Sequence, residues 1–423
     1  MRRKLVLVLV FVLALVSTGA FAQGEQVTLR VTWYDDGNEG AVLRGILDQF
    51  EANNPDIKVE LDTVAYNVIL EQIPQQVQAG EAPDLLRLTN FLGLRGYYLD
   101  VTPYLTDAEV YESYFPAGVL NAFRLDGEEG LFGLPLQTTV SGLYANATLF
   151  EQAGIEMPTV DDGWDTWIEA ATEAAAVTET PYAIAFDRAG HRFVGPAISE
   201  GASFVNEDGT LTIDQPGFRL MAERLKAWHE AGIIPVEVWL GAGGSYAPAA
   251  DYFISGQAVL YMAGSWQINN FASNITDTFD WVAIGNPAGA EAASGMPGGA
   301  ALMAMAATEH PEEVARLLEY LATPEVYAQF TAETLFLPGH LGLPEFEYVT
   351  DNEDAKAALN VFAAEVPKIA EAAYALNFYP KFFDAFNVPT RERLTQYLAG
   401  ELTLDEAIER IQQDADTAIA PAS

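Results

Sequence analysis

An alternation of two periodicities near the start of the chain constrains the fold most strongly. Val27–Trp33 alternates apolar and polar side chains, as a strand does, and residues 42–50 repeat apolar side chains along one helical face. The same two patterns return at residues 57–61 and 69–77, and a short apolar strand covers residues 85–88. This order of strands and helices predicts a parallel sheet with right-handed crossovers, and hence an α/β fold. Ligands of such sheets bind at the carboxyl ends of the strands, which here are the loops after residues 33 and 88.

Composition limits the functions that the chain can have. Its 423 residues include 60 acidic and 21 basic side chains, which gives a net charge of −39. Phosphate backbones and anionic lipid heads repel such a polyanion, so we expect neither nucleic-acid nor membrane-surface binding. The sequence has no cysteine, which excludes disulfides and a cysteine nucleophile. The four histidines lack the i, i+4 spacing of metal ligands, so we expect no metal and no cofactor.

The segment 1–22 has the composition of a secretory signal peptide. Met1–Lys4 is basic, Leu5–Val16 is an uninterrupted apolar run, and Ala20–Ala22 forms an A-x-A cleavage pattern. A membrane anchor is the alternative, but the run is shorter than the ~20 residues that span a bilayer. We therefore expect cleavage after Ala22 and a periplasmic or secreted protein, with no cysteine available for a lipid anchor.

Two helical patterns lie near the end of the chain. Residues 353–373 repeat apolar side chains at helical spacing. Thr403 precedes a second pattern, Leu404–Ile411, and Glu406 stands at the spacing of a capping box. We therefore predict one long helix over residues 353–373 and a capped final helix that begins at Leu404.

Six segments carry a family resemblance, and they occur in the order that the family shows. They are ILDQFEANNPDIKV (Ile46–Val59), AGEAPDLL (Ala79–Leu86), YLDVTPYL (Tyr98–Leu105), GLPLQTTVSGLYAN (Gly133–Asn146), FISGQAVLYMAGSW (Phe253–Trp266) and GGAALMAM (Gly298–Met305), the last followed by LPG (Leu337–Gly339). In these segments the chain resembles the extracellular solute-binding proteins of ABC importers, specifically the family 1 group that includes maltose-binding protein.

The resemblance implies a two-lobed periplasmic-binding-protein fold of the clamp-like type II, in which hinge crossovers join two α/β lobes. It places the N-terminal lobe at 23–137 plus 283–322 and the C-terminal lobe at 138–282 plus 323–423, with crossings near Thr138, Val282 and Thr323. It also implies a receptor, not an enzyme, that closes on a sugar or oligosaccharide between the lobes and delivers it to the permease of an ABC importer. We expect this receptor to be a monomer.

A sugar site combines aromatic rings with polar groups, because a sugar presents C–H patches on its faces and hydroxyls along its edges. Trp266 follows an Ala-Gly-Ser turn and is the strongest candidate for a stacking ring, with a core tryptophan as the alternative. Arg192 follows a predicted strand, and its fork suits vicinal hydroxyls, although a surface ion pair explains it equally well. The remaining candidates stand at strand ends, at the crossings or among the later aromatic residues: Trp33, Asp35, Asp36, Thr89, Asn90, Thr139, Trp239, Tyr246, Gly298, Gly299, Tyr379 and Phe386.

Structural interpretations of several of these candidates stay open. Asp35 and Asp36 are alternatives to each other, and both suit a solvated turn. Thr139 suits a hinge as well as a polar contact. Gly298 and Gly299 allow the backbone to approach a ligand closely, or form a tight turn.

Two other functions stay open on the sequence alone. A secreted glycoside hydrolase needs two carboxylates at a fixed separation, and 60 acidic residues can supply them. The sequence has no G-x-S-x-G, H-E-x-x-H, Walker A or G-x-G-x-x-G motif to support catalysis. The other alternative is a binder of a polyamine, a polyol or a peptide.

Overall fold

The structure, a computed structural model, describes residues 26–125, 127–241, 248–275 and 278–420. The predicted signal peptide lies outside these residues. Eight strands are formed in chain order: β1 Val27–Trp33, β2 Ile57–Thr63, β3 Leu85–Leu88, β4 Gly133–Asn146, β5 Tyr182–Phe186, β6 Ala258–Gly264, β7 Trp281–Gly285 and β8 Pro297–Ala304.

The helices alternate with the strands and then fill the C-terminal part of the chain. They are α1 Glu39–Asn53, α2 Tyr66–Glu71, α3 Ile73–Gln78, α4 Ala108–Ser113, α5 Ala117–Ala122, α6 Ala147–Ala153, α7 Trp164–Thr178, α8 Gly190–Ser199, α9 Pro216–Glu230, α10 Val236–Leu240, α11 Ala250–Ile254, α12 Ile268–Asn274, α13 Pro311–Ala322, α14 Pro324–Thr334, α15 Glu353–Glu365, α16 Glu371–Asn377, α17 Val388–Leu398 and α18 Leu404–Ile419.

One of the two predicted C-terminal helices is confirmed and the other is interrupted. α18 begins at Leu404 behind a complete capping box, in which Thr403 N donates to Glu406 Oε2 over 2.8 Å. The predicted helix over 353–373 is wrong as a single element. Helix α15 ends at Glu365, and α16 begins only at Glu371. Pro367 lies in the break, where its missing N–H removes a helical hydrogen bond.

The predicted parallel sheet is confirmed, and it extends into a larger mixed sheet. The strand order is β2-β1-β3-β8-β4-β6-β5, with β7 also paired to β4. β1 runs parallel to β2 and β3, and β5 runs parallel to β6. β8 and β4 run antiparallel to their neighbours and join these two parallel parts. The carboxyl ends of the parallel strands are therefore available in both halves of the molecule.

The buried apolar side chains form two clusters, one for each half of the sheet. The first cluster contains side chains from 29–136 and from 300–336, including Tyr327, Phe330 and Phe336. The second contains side chains from 140–296, Leu335, Leu337 and side chains from 355–415. Two cores joined through shared strands are what a two-lobed α/β protein requires.

The chain passes between the clusters at three places. β4 passes near Thr138, β8 passes between Met296 and Ala300, and the third passage lies near residue 336. The resemblance implies lobe boundaries at 282/283 and 322/323. Both lie earlier in the chain than the passages at residues 296–300 and near residue 336. β7 pairs with the second half of β4, and α14 packs against α1, so these elements extend each half further along the chain.

Candidate functional site

The loop after β1 and the start of α2 lie within electrostatic range of α8, which belongs to the other cluster. The charge of Arg192, in α8, acts on Asp36 and on Tyr66 in the first half of the molecule, where it opposes the rise in the pKa of both groups. The two halves also touch at one edge, since a methyl group on Gly37 would come within 2.7 Å of Asn269 Oδ1. We call the space bordered by Asp36, Tyr66, Arg192 and Trp266 the interlobe groove.

Asp36 presents a carboxyl group to the groove. A quarter of its side chain is exposed, and its Oδ2 lies 3.4 Å from Arg87 Nη2. Burial, with a smaller contribution from the charge of Glu39, raises the pKa of Asp36 to about 7 against the opposing charge of Arg87. Asp35 has a different role, because its Oδ1 accepts from Trp33 Nε1 over 3.0 Å and from the Gly40 amide over 2.7 Å. Of the two aspartates, Asp36 is the one that Arg87 and Arg192 both influence.

Arg87 is a fully buried cation beneath the groove. Its Nη1 donates to the Tyr34 carbonyl and, over 2.9 Å, to Glu39 Oε1. Its Nη2 lies 3.3 Å from Gln137 Oε1 in β4, and its Cζ lies 4.0 Å from the centroid of the Tyr34 ring. The guanidinium therefore connects the loop after β1 with a strand that passes between the clusters.

Glu39 holds the same loop from the other side. Its carboxylate, which is almost fully buried, accepts from the Asp36 amide over 2.7 Å and from the Gly37 amide over 2.8 Å. These bonds lie at the first turn of α1, where a negative charge is favourable. Asp36 is thus fixed by its own backbone as well as by Arg87.

The loop after β3 supplies a hydroxyl pair and a turn. Thr89 Oγ1 lies 2.7 Å from the hydroxyl of Tyr66, the first residue of α2. The Tyr66 ring packs 4.8 Å from the ring of Tyr34. Asn90 precedes a short 3-10 helix, Phe91–Leu94, and its carbonyl accepts from Gly93 N over 3.3 Å. Thr89 is therefore connected to the groove through Tyr66. The described backbone contact of Asn90 stays within its own turn.

The second half of the molecule contributes Arg192 stacked on Trp266. Arg192 Cζ lies 3.9 Å from the centroid of the Trp266 ring, and Trp266 is 9% exposed. Arg192 Nε donates to Asp187 Oδ2 over 3.3 Å, and its Nη1 donates to His191 Nδ1 over 2.7 Å. Asp187 is itself fixed, because its Oδ1 accepts from the Tyr261 hydroxyl over 2.8 Å.

His191 stands between Arg192 and β8 as a neutral ring. Burial and the charge of Arg192 together lower the pKa of His191 to about 3. Because Arg192 can only donate, Nδ1 of the neutral ring is the acceptor, and Nε2–H donates to the Pro297 carbonyl over 3.1 Å. His191 thus connects Arg192 to the start of β8.

The crossing strands border a second pocket. Gln137, Thr138, Gly298 and Gly299 line it together with the half-buried ring of Phe378, and its lining includes none of the four residues that border the interlobe groove. A Cβ on Gly298 would lie 2.6 Å from Thr139 Oγ1, and one on Gly299 would collide with the Gln137 carbonyl oxygen. The two glycines and Thr139 are therefore explained by close strand pairing and also lie where the halves meet.

The described residues contain neither a cluster of metal ligands nor a membrane-spanning helix. Within the ranges that the structure covers, no group of three or more His, Asp or Glu side chains is placed to hold a metal ion. None of the helices described there combines the length and the apolar character needed to cross a membrane.

A family comparison decides which class of protein this geometry belongs to. The family model of the bacterial extracellular solute-binding proteins matches residues 34–328, well over half of the chain. The chain belongs to this family. The prediction made from the six segments is thereby confirmed, and a family of binding proteins supports a receptor rather than a glycoside hydrolase.

Individual relatives of this solute-binding protein agree with that assignment. The multiple sugar-binding protein of Streptococcus mutans is 23% identical over 342 residues, covering 73% of this chain and 74% of the relative. The GacH receptor of Streptomyces glaucescens superimposes with a TM-score of 0.75 at 21% identity over 93% of this chain and 99% of the receptor. Maltose-bound MalE3 of T. maritima gives a TM-score of 0.72 at 18% identity over 93% of this chain and all of that chain. The predicted two-lobed fold is confirmed by these superpositions.

Several aromatic candidates are buried in the two cores of this solute-binding protein. Trp239 and Phe386 are fully buried, the first donating from Nε1 to the Phe186 carbonyl over 3.1 Å and the second packing 4.8 Å from Phe204. Tyr379 donates to the Gly209 carbonyl over 2.9 Å. Trp33 is also fully buried, with an edge-to-face contact to Phe330 at 6.3 Å. These four rings are core residues, and Tyr246 lies outside the described residues.

The sequence analysis did not identify six further residues of the interlobe groove and of the pocket lined by Gly298. They are Tyr66, Arg87, Gln137, Asp187, His191 and Phe378. Arg87 could have been recognised from the sequence, because a lone cation inside an otherwise apolar strand needs a buried partner. The others join the site only through pairing between distant strands and helices.

Proposed function

We propose that this solute-binding protein captures a neutral sugar or oligosaccharide in the interlobe groove and releases it unchanged to the permease of an ABC importer. The observation that carries the proposal is the pair of opposite charges across the groove. Asp36 in one half and Arg192 in the other influence each other, yet no ion pair within 4 Å joins them in the described structure.

A hydroxyl group suits the space between these two charges. It accepts a hydrogen bond from a guanidinium and donates one to a carboxylate at the same time, which neither a pure cation nor a pure anion can do. Hydrogen bonds to charged groups contribute about 1.5–3 kcal/mol each, so a few of them reach the roughly 8 kcal/mol of micromolar affinity. The nearby hydroxyls of Thr89 and Tyr66 add partners of the same kind.

Arginine in the groove disfavours the polyamine alternative. A polyamine would gain from Asp36 but would meet the positive charge of Arg192 at close range. The Streptococcus mutans relative is a multiple sugar-binding protein, and the structures of GacH and MalE3 hold acarbose and maltose.

The mature receptor, in this proposal, is a monomer outside the cytoplasmic membrane whose lobes pivot about the three passages near Thr138, residues 297–300 and residue 336. Binding drives closure because only the closed state contacts the sugar from both halves. The signal peptide at 1–22 directs the chain there.

A thermal-shift screen followed by calorimetry tests the function. The probes are maltose, acarbose, lactose, a polyol (sorbitol) and a polyamine (spermidine), each with the intact mature chain. A sugar at about 100 times its dissociation constant should stabilise the fold by about 2.7 kcal/mol, while sorbitol and spermidine leave the melting temperature unchanged. Stabilisation by spermidine alone would contradict the proposal, as would turnover of chromogenic glycosides by the purified protein.

A further inference from the structure

We propose that Trp266 acts as the platform that positions Arg192, so that the guanidinium, and not the indole, is the surface that the second half presents to the sugar. The proposal rests on the proposed function, because it concerns the same groove. It assigns Arg192 as the contact residue and Trp266 as a positioning residue.

The first support is the covering of the Trp266 ring. A sugar that stacks on an indole needs one open face of the ring, but Arg192 Cζ lies 3.9 Å above the ring centroid and Trp266 is only 9% exposed. The six-membered end of the indole also lies against Gly264, where any Cβ would collide with it. The ring is therefore enclosed by its own half of the molecule.

The second support is the way in which Arg192 is held. Its five N–H groups include one engaged by Asp187 and one engaged by His191, and in the described part of the chain nothing accepts from the other three. The side chain is 11% exposed, so the guanidinium is held by two partners and is still reached by solvent. Such a planar fork is ready to donate to two neighbouring oxygen atoms of a sugar.

The third support is the position of the fork. The charge of Arg192 acts on the pKa of both Asp36 and Tyr66, which lie in the opposite half of the molecule. A pair of vicinal hydroxyls can accept from the fork and donate to Asp36. The geometry therefore selects sugars by a diol edge rather than by an apolar face.

A double-mutant cycle tests the assignment, with Arg192→Gln, Trp266→Leu and the double variant measured by calorimetry. The titrant is whichever of maltose, acarbose and lactose gives the wild-type protein its largest thermal shift. Arg192→Gln should weaken binding about tenfold or more, and Trp266→Leu at least about threefold, because the cation–π contact is lost. In the Arg192→Gln background, Trp266→Leu should weaken binding by less than a further factor of about two, because Trp266 acts only through Arg192 in this proposal. A double loss equal to the product of the single losses would overturn the proposal.

Trp266→Phe and Arg219→Gln serve as matched controls. Phenylalanine keeps an aromatic face for the guanidinium, so Trp266→Phe should bind within about threefold of the wild-type protein. Arg219 pairs with Asp214 and Asp405 on the exterior, and its replacement should leave the affinity unchanged. If Trp266→Phe binds as weakly as Trp266→Leu, the role of a platform is excluded.

A measurement without any sugar separates this proposal from the proposed function. The emission of Trp266 is isolated by subtracting the spectrum of Trp266→Phe, once in the wild-type background and once in the Arg192→Gln background. Acrylamide should quench this emission more strongly when Arg192 is replaced, because the ring loses its cover. Equal quenching in the two backgrounds would overturn the platform, whereas the absence of any thermal shift with sugars would overturn the proposed function alone.

Discussion

Arg87 shows how a single buried charge organises the site. It lies in β3 among leucines, and its guanidinium satisfies Glu39 and the Tyr34 carbonyl while contacting Gln137 in β4. Removing one partner of a buried ion pair leaves the other charge uncompensated, which costs more than the pair contributes. Arg87 is therefore expected to be essential for the shape of the loop that carries Asp36.

Arg87→Met tests this role. We expect a loss of about 3–5 kcal/mol in the free energy of unfolding, because Glu39 would then be buried without its cation. Urea denaturation followed by circular dichroism measures the loss. The double variant Arg87→Met with Glu39→Gln should recover part of it, and a single variant as stable as the wild-type protein would contradict the argument.

Asp36 gives the protein a pH dependence whose sign is defined. Its pKa is raised from 3.8 to about 7 in the folded state, mainly by burial, while Arg87, Glu39, Arg192 and Asp35 surround it. A raised pKa means that the stability linked to the protonated group is fully present below about pH 4 and is lost as the pH rises through 7. The charged carboxylate at neutral pH is thus a cost to the ligand-free fold.

Asp36→Asn should remove that dependence. Between pH 5 and pH 8 the wild-type protein should lose about 2–3 kcal/mol relative to the variant, because almost two pH units lie between pH 5 and the folded pKa and each is worth about 1.4 kcal/mol. Urea unfolding of both proteins at the two pH values measures the difference, in which the titration of unrelated groups cancels. A difference that is the same at pH 5 and pH 8 would show that Asp36 keeps its ordinary pKa.

At the scale of elements, the crossing strand β8 depends on a glycine. Gly299 has φ of 157° and lies so close to Gln137 that a Cβ would collide with the carbonyl oxygen of that residue. A Cβ on Gly298 would come closest to the hydroxyl of Thr139, and the Thr139 side chain can rotate away. The two neighbouring glycines therefore differ in what a methyl group would cost.

Gly299→Ala should lower the free energy of unfolding by about 1–3 kcal/mol, and Gly298→Ala by clearly less. Thermal unfolding of the two variants side by side provides the comparison. Equal losses would mean that the backbone contact at residue 299 relaxes without cost.

Local sequence patterns were sufficient for some elements and insufficient for others. The alternation of Val27–Trp33 gives the bounds of β1, and Thr403 with Glu406 marks the start of α18, because both signals lie within a few residues. Pro367 is also a local signal, and it marks the break between α15 and α16. The apolar side chains on either side of it keep a helical spacing, which led to the prediction of a single helix. Contacts between distant elements leave no comparable pattern in the local sequence.

The site illustrates that limit. Asp36 and Thr89 follow β1 and β3, so the rule for parallel sheets finds their positions without further information. Arg192 and Trp266 were each proposed, but their stacking requires β5 to pair with β6, which one sequence does not specify. Trp239 and Phe386 were misassigned because composition alone does not separate a core ring from a ligand-binding ring.

At the scale of the whole molecule, Gly37 and Asn269 mark where the two halves touch. A side chain on Gly37 would enter the space of Asn269 Oδ1, at 2.7 Å even for a methyl group. Gly37 lies in an exposed loop of the first half and Asn269 lies in α12 of the second, so the collision is between the two halves and not within either core.

Gly37→Val should therefore weaken sugar binding with little change in the melting temperature. If the closed state becomes ten times rarer, the apparent affinity falls about tenfold. Calorimetry gives the affinity, and X-ray scattering should show that the variant contracts less than the wild-type protein when sugar is added. Adding Asn269→Ala should restore binding, and a failure of this second change would place the effect elsewhere.

The three passages between the clusters also bear on how the polypeptide matures. The first core draws on residues 29–136 and again on 300–336, so its last strand and helices are synthesised only after most of the second core has been made. A nascent chain cannot complete its earliest half until the ribosome has translated about four-fifths of the message. The second core also draws on side chains from 355–415, so it is complete only when synthesis is almost finished.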